Sequence, residues 1–204
     1  SFTGELHRSS ALSRARQQVG LPRLPLVDAA IFSRPRNVEA RVIISQVQAD
    51  ERKQLLELAV GTGLFSPEDA EGLLGGVLDS LAAQALPAGH AAVACRAATG
   101  EKILGWSYFA PDPYAEGVFN VWWIGADPLQ HGRGVGGALL SHVEAQAAKS
   151  GARVVVIETS DQPLLARARA FYLERGYAER GRIPDFYATG DAKVIFSRTL
   201  PEPG

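Results

Sequence analysis

Trp122-Trp123-Ile124-Gly125-Ala126-Asp127-Pro128-Leu129-Gln130-His131-Gly132-Arg133-Gly134-Val135-Gly136-Gly137 carries a strand into a glycine-rich turn, and the turn into a helix. Asp127-Pro128 breaks the apolar run. Val135, Leu139, Leu140, Val143 and Ala147 then recur at helical spacing on one face. Gly132, Gly134 and Gly136 let the backbone approach a ligand closely and aim N–H groups at it. The helix carries no acid in its first turn, so its positive dipole end is left free. Such an arrangement suits a phosphate or pyrophosphate, and Arg133 adds a charge.

Gly132-x-Gly134-x-x-Gly137 also fits the dinucleotide fingerprint formally, with Glu158 about where the ribose-binding acid would stand. That would make the chain an NAD(P)-binding oxidoreductase. Three features oppose it. Ala126 to His131 intervene between strand and first glycine, a meander precedes the motif instead of its opening the domain, and too little chain follows for a second nucleotide-binding half. The P-loop pattern with its Lys is absent.

Working outward, the pattern sharpens from Arg41. Val42-Ile43-Ile44 reads as a strand. Asp50 is placed to cap a helix bearing Leu55, Leu56, Leu58 and Ala59. Ser66-Pro67-Glu68-Asp69 is a strong helix start, and Leu73, Leu74, Val77, Leu78 and Leu81 form its apolar stripe. Strands near 90–96, 102–110 and 117–125 follow as a meander, turning at Thr99-Gly100 and Pro111-Asp112-Pro113. Then come a helix over about 135–149, a strand over 154–158, a helix over about 163–175, and strands over 177–182 and 193–199. In that second helix Leu164, Ala168 and Phe171 read as the core stripe, with Tyr172 at its edge. The expected fold is one α/β (α+β) domain over 40–204, with a mixed, mostly antiparallel sheet of about seven strands flanked by four helices. One parallel pair is joined through the Val135 helix.

Residues 1–39 are set apart by six arginines, several serines, scattered prolines and no strong periodicity. They read as a loosely ordered extension; an Arg- and Ser-rich, acid-poor start also fits the remnant of a transit peptide. The chain contains no Met, so Ser1 is expected to be a processed or trimmed end. The lone Cys95 excludes an internal disulfide and fits a reducing, cytoplasmic setting. A formal net charge of -1 gives no reason to expect nucleic acid as a partner. No apolar run is long enough to span a bilayer.

With turn and element order in view, the segment resembles the GNAT superfamily of N-acetyltransferases. The family's turn, Q/R-x-x-G-x-G/A, is matched by His131-Gly132-Arg133-Gly134-Val135-Gly136, with His131 in place of Gln or Arg. Ala168-Arg169-Ala170-Phe171-Tyr172-Leu173-Glu174-Arg175-Gly176-Tyr177 resembles its second signature, A-x-x-[LF]-Y-x-x-x-G-[FY]. The resemblance covers Arg41 to Leu200. It implies that the turn binds the pyrophosphate of acetyl-CoA, with pantetheine along Asn120 to Ile124. The coenzyme-binding set is then Trp123, Ile124, Gly125, Ala126, His131, Gly132, Arg133, Gly134, Val135, Gly136 and Gly137. It also implies that Tyr172 protonates the departing thiolate, a role a phenol neutral at pH 7 can fill. The family often has Asn seven residues before this Tyr; here Leu165 stands there.

The resemblance leaves the base open. Glu158 ends the run Val154-Val155-Val156-Ile157 and is expected at a sheet end near the thioester, with Glu116 second. Ile183 to Lys193 is expected as a loop between the last strands. Its Asp185, Phe186, Tyr187 and Asp191 mix acids with aromatics, which suits a cationic amine. Cys95 lies mid-strand, where a thiol is usually buried and inert. The expectation is therefore direct transfer from acetyl-CoA to the primary amine of a small molecule or amino-acid-like acceptor in a ternary complex. Protein N-terminal or lysine acetylation on the same fold, and a non-catalytic acyl-CoA-binding module, are the alternatives. No cluster has metal-ligand spacing, and a homodimer is left open.

Overall fold

The computed structural model describes residues 42–98 and 102–201. The expectations for residues 1–39 and for the Thr99-Gly100 turn lie outside that range. The chain runs β1 (Val42–Gln46), α1 (Arg52–Gly61), then α2, which comprises Pro67–Ala70, a π turn at Glu71–Gly75, and Gly76–Ala82. It continues through β2 (Ala91–Ala97), β3 (Ile103–Pro111), β4 (Val118–Ala126), α3 (Val135–Lys149) and β5 (Val154–Ser160). α4 (Ala166–Glu174), β6 (Ala178–Ala188) and β7 (Asp191–Thr199) complete it. The strands form one mixed sheet in the order β1-β2-β3-β4-β5-β7-β6. Only β4 and β5 pair in parallel, with α3 as their crossover, so the expected α/β (α+β) domain with four helices is what forms.

Two apolar layers sandwich the sheet. α3 and α4 cover one face through Val135, Leu139, Leu140, Val143, Ala147 and Tyr172, packed on Val121, Val155, Ile157, Val194 and Phe196. α1 and α2 cover the other through Leu55, Ala59, Ala70, Leu74 and Leu78, packed on Ala92, Ala94, Trp106, Tyr108 and Trp123. Neighbours along a strand point to opposite faces, so the two layers draw on alternate residues.

Three local expectations are corrected. Asp50 does not cap α1. A short 3-10 turn at Ala49–Glu51 precedes it, and the Glu51 carboxylate accepts from the Gln48 amide at 2.8 Å. In the 163–175 helix Tyr172 is the buried residue, while Leu164 lies 64% exposed. A 3-10 turn at Pro163–Leu165 lifts Leu164 out of the helical register. The Ile183 to Lys193 stretch is mostly strand, not loop. Ile183 pairs with Lys193 and Ala188 with Asp191, so the residues between form a wide bulge in β6. The Ser66 cap holds, its Oγ accepting from the Asp69 amide at 3.1 Å.

Candidate active site

The β4–β5 ladder pairs Val118 with Val154 and ends at Val121 with Ile157, though both strands run on. Beyond that point the strands part. On its other side β4 keeps pairing with β3 to Ala126, but with a shift: Tyr108 faces Trp123 and Phe109 faces Val121. Trp122 is thus the extra residue of a bulge. The bulge reverses the alternation. Val121 sits in the α3/α4 layer, Trp123 in the α1/α2 layer, and Ile124 and Ala126 against the α3/α4 layer again. Trp123 lies between Phe65 and Trp106, each 5.6 Å away centroid to centroid. Its buried Nε1 has no hydrogen-bond partner among the described residues, a donor left for a ligand or water.

The turn after β4 is built in steps. Asp127 anchors it: its amide donates to the Leu104 carbonyl at 2.9 Å, and its Oδ1 accepts from the Leu129 amide at 2.9 Å. The Leu129 amide, then Lys102, hold the Asp127 carboxyl below the usual range against the effect of burial. Gly132 and Gly134 follow at φ +76° and +85°, in the left-handed region where L side chains are strained. An added Cβ at either would meet nothing within 4 Å. Space therefore lies open over both. Ala138 N–H to Gly134 O, at 2.8 Å, opens the α3 ladder, so the amides before it have no partner inside the helix. The exposed Arg133 reaches back to Gln130 Oε1 at 3.5 Å. His131 is exposed too.

The other glycines serve packing. A Cβ on Gly136 would touch the Phe171 ring at 3.5 Å, and one on Gly137 would run into the Arg175 guanidinium. One on Gly125 would meet the Trp123 ring at 2.5 Å. Gly105, which sequence reading missed, lets β3 lie against the start of α3. Its Cβ would stand 2.7 Å from Gly125 O and 2.9 Å from Val135 Cγ1.

At the fork the two sides of the sheet carry different chemistry. Tyr172 packs on Phe196 at 5.6 Å, and Phe196 is the cross-strand neighbour of Ile157, the last residue of the β4–β5 ladder. Burial pushes the Tyr172 hydroxyl up to about 12, so it keeps its proton at neutral pH. Glu158 is the next residue of β5 and, by alternation, faces the α1/α2 side. Tyr172 and Glu158 thus stand at one level on opposite faces, where the sheet opens.

Glu158 is not alone. Its Oε2 accepts from Lys193 Nζ at 2.6 Å, and Nζ lies 3.9 Å from the centroid of the Phe186 ring. Phe186 meets Tyr187 edge-on at 5.0 Å. Burial, then Glu158 and Asp191, push the Tyr187 hydroxyl up to about 12. Asp191 is 2% exposed and accepts a short hydrogen bond from Ser160 Oγ. Asp185, at φ +53°, accepts from the Gly190 amide at 2.6 Å and so ties the bulge to the hairpin tip. The structure thus brings Glu158, Phe186, Tyr187 and Lys193 together. Asp185 and Asp191 are in the same hairpin with their carboxylates committed internally. Glu116 is elsewhere: it is exposed before β4, at the end away from the glycine turn, and its carbonyl accepts from Arg153 at 2.8 Å. Cys95 is fully buried, which pushes its thiol up to about 11.

Residues 58–177 match the acetyltransferase (GNAT) family, a stretch that takes in the fork, the turn and Tyr172. The chain belongs to the GNAT family of acetyltransferases. A solved protein from Desulfovibrio desulfuricans assigned to the same family superposes with a TM-score of 0.73 at 25% identity, covering 79% of this chain and 100% of that one. An aminoglycoside 6'-N-acetyltransferase in complex with coenzyme A gives 0.63 at 18% identity, covering 79% and 99%. A Salmonella typhimurium protein assigned as an acetyltransferase, holding acetyl-CoA, gives 0.61 at 13%, covering 80% and 96%. The latter two share the fold. None of the curated proteins matches the chain.

This chain is therefore an acetyltransferase by family, and the last two structures hold coenzyme A and acetyl-CoA. The residues present fit that ligand: open space over Gly132 and Gly134, unpaired first amides of α3, and a fork beside β4. Among the described residues no three His, Cys, Asp or Glu gather as metal ligands, and no helix is long and apolar enough to cross a membrane.

Proposed function

We propose that the chain moves the acetyl group of acetyl-CoA directly to the primary amine of a small-molecule or amino-acid-like acceptor, with both substrates bound at once. The supporting observation is the placement of Tyr172 and Glu158 on opposite faces at the level where β4 and β5 part. Acetyl-CoA, when bound, supplies the thioester. The turn from Gly132 to Gly136 holds its phosphates with backbone amides, and the free edge of β4 orients the rest toward the fork. Glu158 accepts a proton from the acceptor's ammonium on the α1/α2 side. Tyr172 delivers its own proton at Oη to the sulfur on the α3/α4 side, a role its burial favours by keeping the phenol protonated. Cys95, fully buried in the sheet, is no nucleophile, which supports transfer without an acyl-enzyme.

Two measurements test this. Acetyl-CoA at a hundredfold over its dissociation constant should stabilise the fold by about 2.7 kcal/mol, and NAD(P)H should not. Acceptor-dependent release of the coenzyme thiol should follow when amines are supplied. A melting shift with NAD(P)H alone overturns the reading.

A further inference from the structure

On the acceptor face the site already contains an ammonium. Lys193 Nζ sits on the Glu158 carboxylate at 2.6 Å, under the Phe186 ring at 3.9 Å. The Lys193 side chain is 15% exposed and that of Glu158 40%, so Glu158 presents a carboxylate that an acceptor can still reach. The surrounding acids already hold partners within the protein. Asp161 Oδ2 takes Arg182 at 2.9 Å and its Oδ1 takes the Ala192 amide at 3.0 Å. Glu179 takes Arg182 at 3.2 Å, Asp185 the Gly190 amide, and Asp191 the Ser160 hydroxyl. The acids that would draw in a polycation are thus engaged inside the protein.

We propose that Lys193 sets the acceptor class by holding a carboxylate beside the amine that goes to Glu158, so that the preferred acceptor is an α-amino acid or a close amphoteric analogue. The inference rests on the acetyltransfer reading above. An amphoteric acceptor opens one ion pair and forms two, amine to Glu158 and carboxylate to Lys193, and no charge is left without a partner. A simple amine takes Glu158 and leaves the largely buried Lys193 ammonium without a carboxylate, with the Phe186 ring beside it, which is costly. A polycation adds a like charge next to it. The Phe186 ring beside Lys193 Nζ, with Tyr187 edge-on to it, gives the exchange one apolar wall.

The test is thiol release from acetyl-CoA with a panel of α-amino acids, each beside its decarboxylated amine. The best amino acid should exceed its amine in kcat/KM by about tenfold or more. Lys193→Met should lower the amino acid's kcat/KM by at least about tenfold, mostly through KM, and bring the ratio of amino acid to amine to about unity or below. Lys193→Arg should keep most of the preference. An acetyl-CoA melting shift equal to wild type verifies the fold of each variant, and Lys193→Gln replaces a Met variant that fails this check. A wild-type preference for the amines, for polyamines or for peptide N-termini overturns the proposal, as does a Lys193→Met variant with unchanged preference. Failure of acetyl-CoA to bind, by contrast, sinks the acetyltransfer reading itself.

Discussion

Gly134→Ala separates the glycine turn's two duties. At φ +85° and ψ -3° the residue is left-handed, and a Cβ there meets nothing within 4 Å. The methyl therefore clashes with no atom of the protein, and its only intrinsic penalty is backbone strain, about 1–2 kcal/mol. For a chain of this size that corresponds to a fall in Tm of roughly 2–4 °C per kcal/mol. In the proposed function the same open space is where phosphates approach the first amides of α3, so the methyl would stand in the ligand's place. Affinity for acetyl-CoA should drop by more than about tenfold, that is by over 1.4 kcal/mol, on top of the folding cost. Gly151→Ala is the matched control: φ is +79°, nothing lies within 4 Å of its Cβ, and it sits beyond the far end of α3. Thermal melts and calorimetric titration with acetyl-CoA on both variants decide the matter. Equal losses of Tm with wild-type affinity in both would show that the turn is only a turn.

Tyr172→Phe should lower kcat by roughly 10²–10⁴-fold where chemistry limits, with little change in acetyl-CoA affinity; wild-type turnover would return Tyr172 to packing alone. Glu158→Gln should lower kcat and not the affinity for acetyl-CoA, and a KM effect alone would make Glu158 a binding group only. Gly105→Ala drives a methyl into the Gly125 carbonyl and the Val135 side chain and should destabilise the fold by roughly 1–3 kcal/mol, read by denaturant melts; an unchanged midpoint would mean that β3 and α3 can separate freely. The Tyr172 hydroxyl, raised from 10.0 to about 12 in the folded state, releases its proton first in the unfolded chain. Its contribution is complete below pH 10 and is lost as pH rises toward 12, by roughly 2–3 kcal/mol. Comparing wild type with Tyr172→Phe across that window isolates it from the other tyrosines, and parallel curves would refute the burial account.

Element order was legible because each signal is local. The Ser66-Pro67 cap and the Val135 to Ala147 stripe act over a few residues, and both fold as they read. Tyr172 was found through a motif, but its burial was not legible. It depends on Phe196 of β7 and on Tyr177, which stands just before β6. The Glu158–Lys193 pair was hidden for the same reason. β5 pairs with β7 across 35 residues, and only the register Glu158 to Ile195 puts Lys193 within reach. Gly105 looked like an ordinary strand residue, because what crowds it is backbone from elsewhere.

In the proposed function, the bulge at Trp122 lets one sheet serve two substrates from opposite sides. Without it, Val121 and Trp123 would share a face, and β4 would offer the same side to coenzyme and acceptor alike. With it, Trp123 joins Phe65 and Trp106 on the acceptor side. Ile124 and Ala126 turn to the α3 side and lead straight into Asp127 and the glycine turn. The parting of β4 from β5 begins at that residue, since Val121 is the last to pair. Two adjacent tryptophans in a strand, which alternation alone would place on opposite faces of a regular sheet, instead mark the point where the alternation is reset. Fork and bulge then act as one device: the extra residue bends β4, and the gap beside it, with Tyr172 and Glu158 on its two faces, is where the proposed function places the transfer.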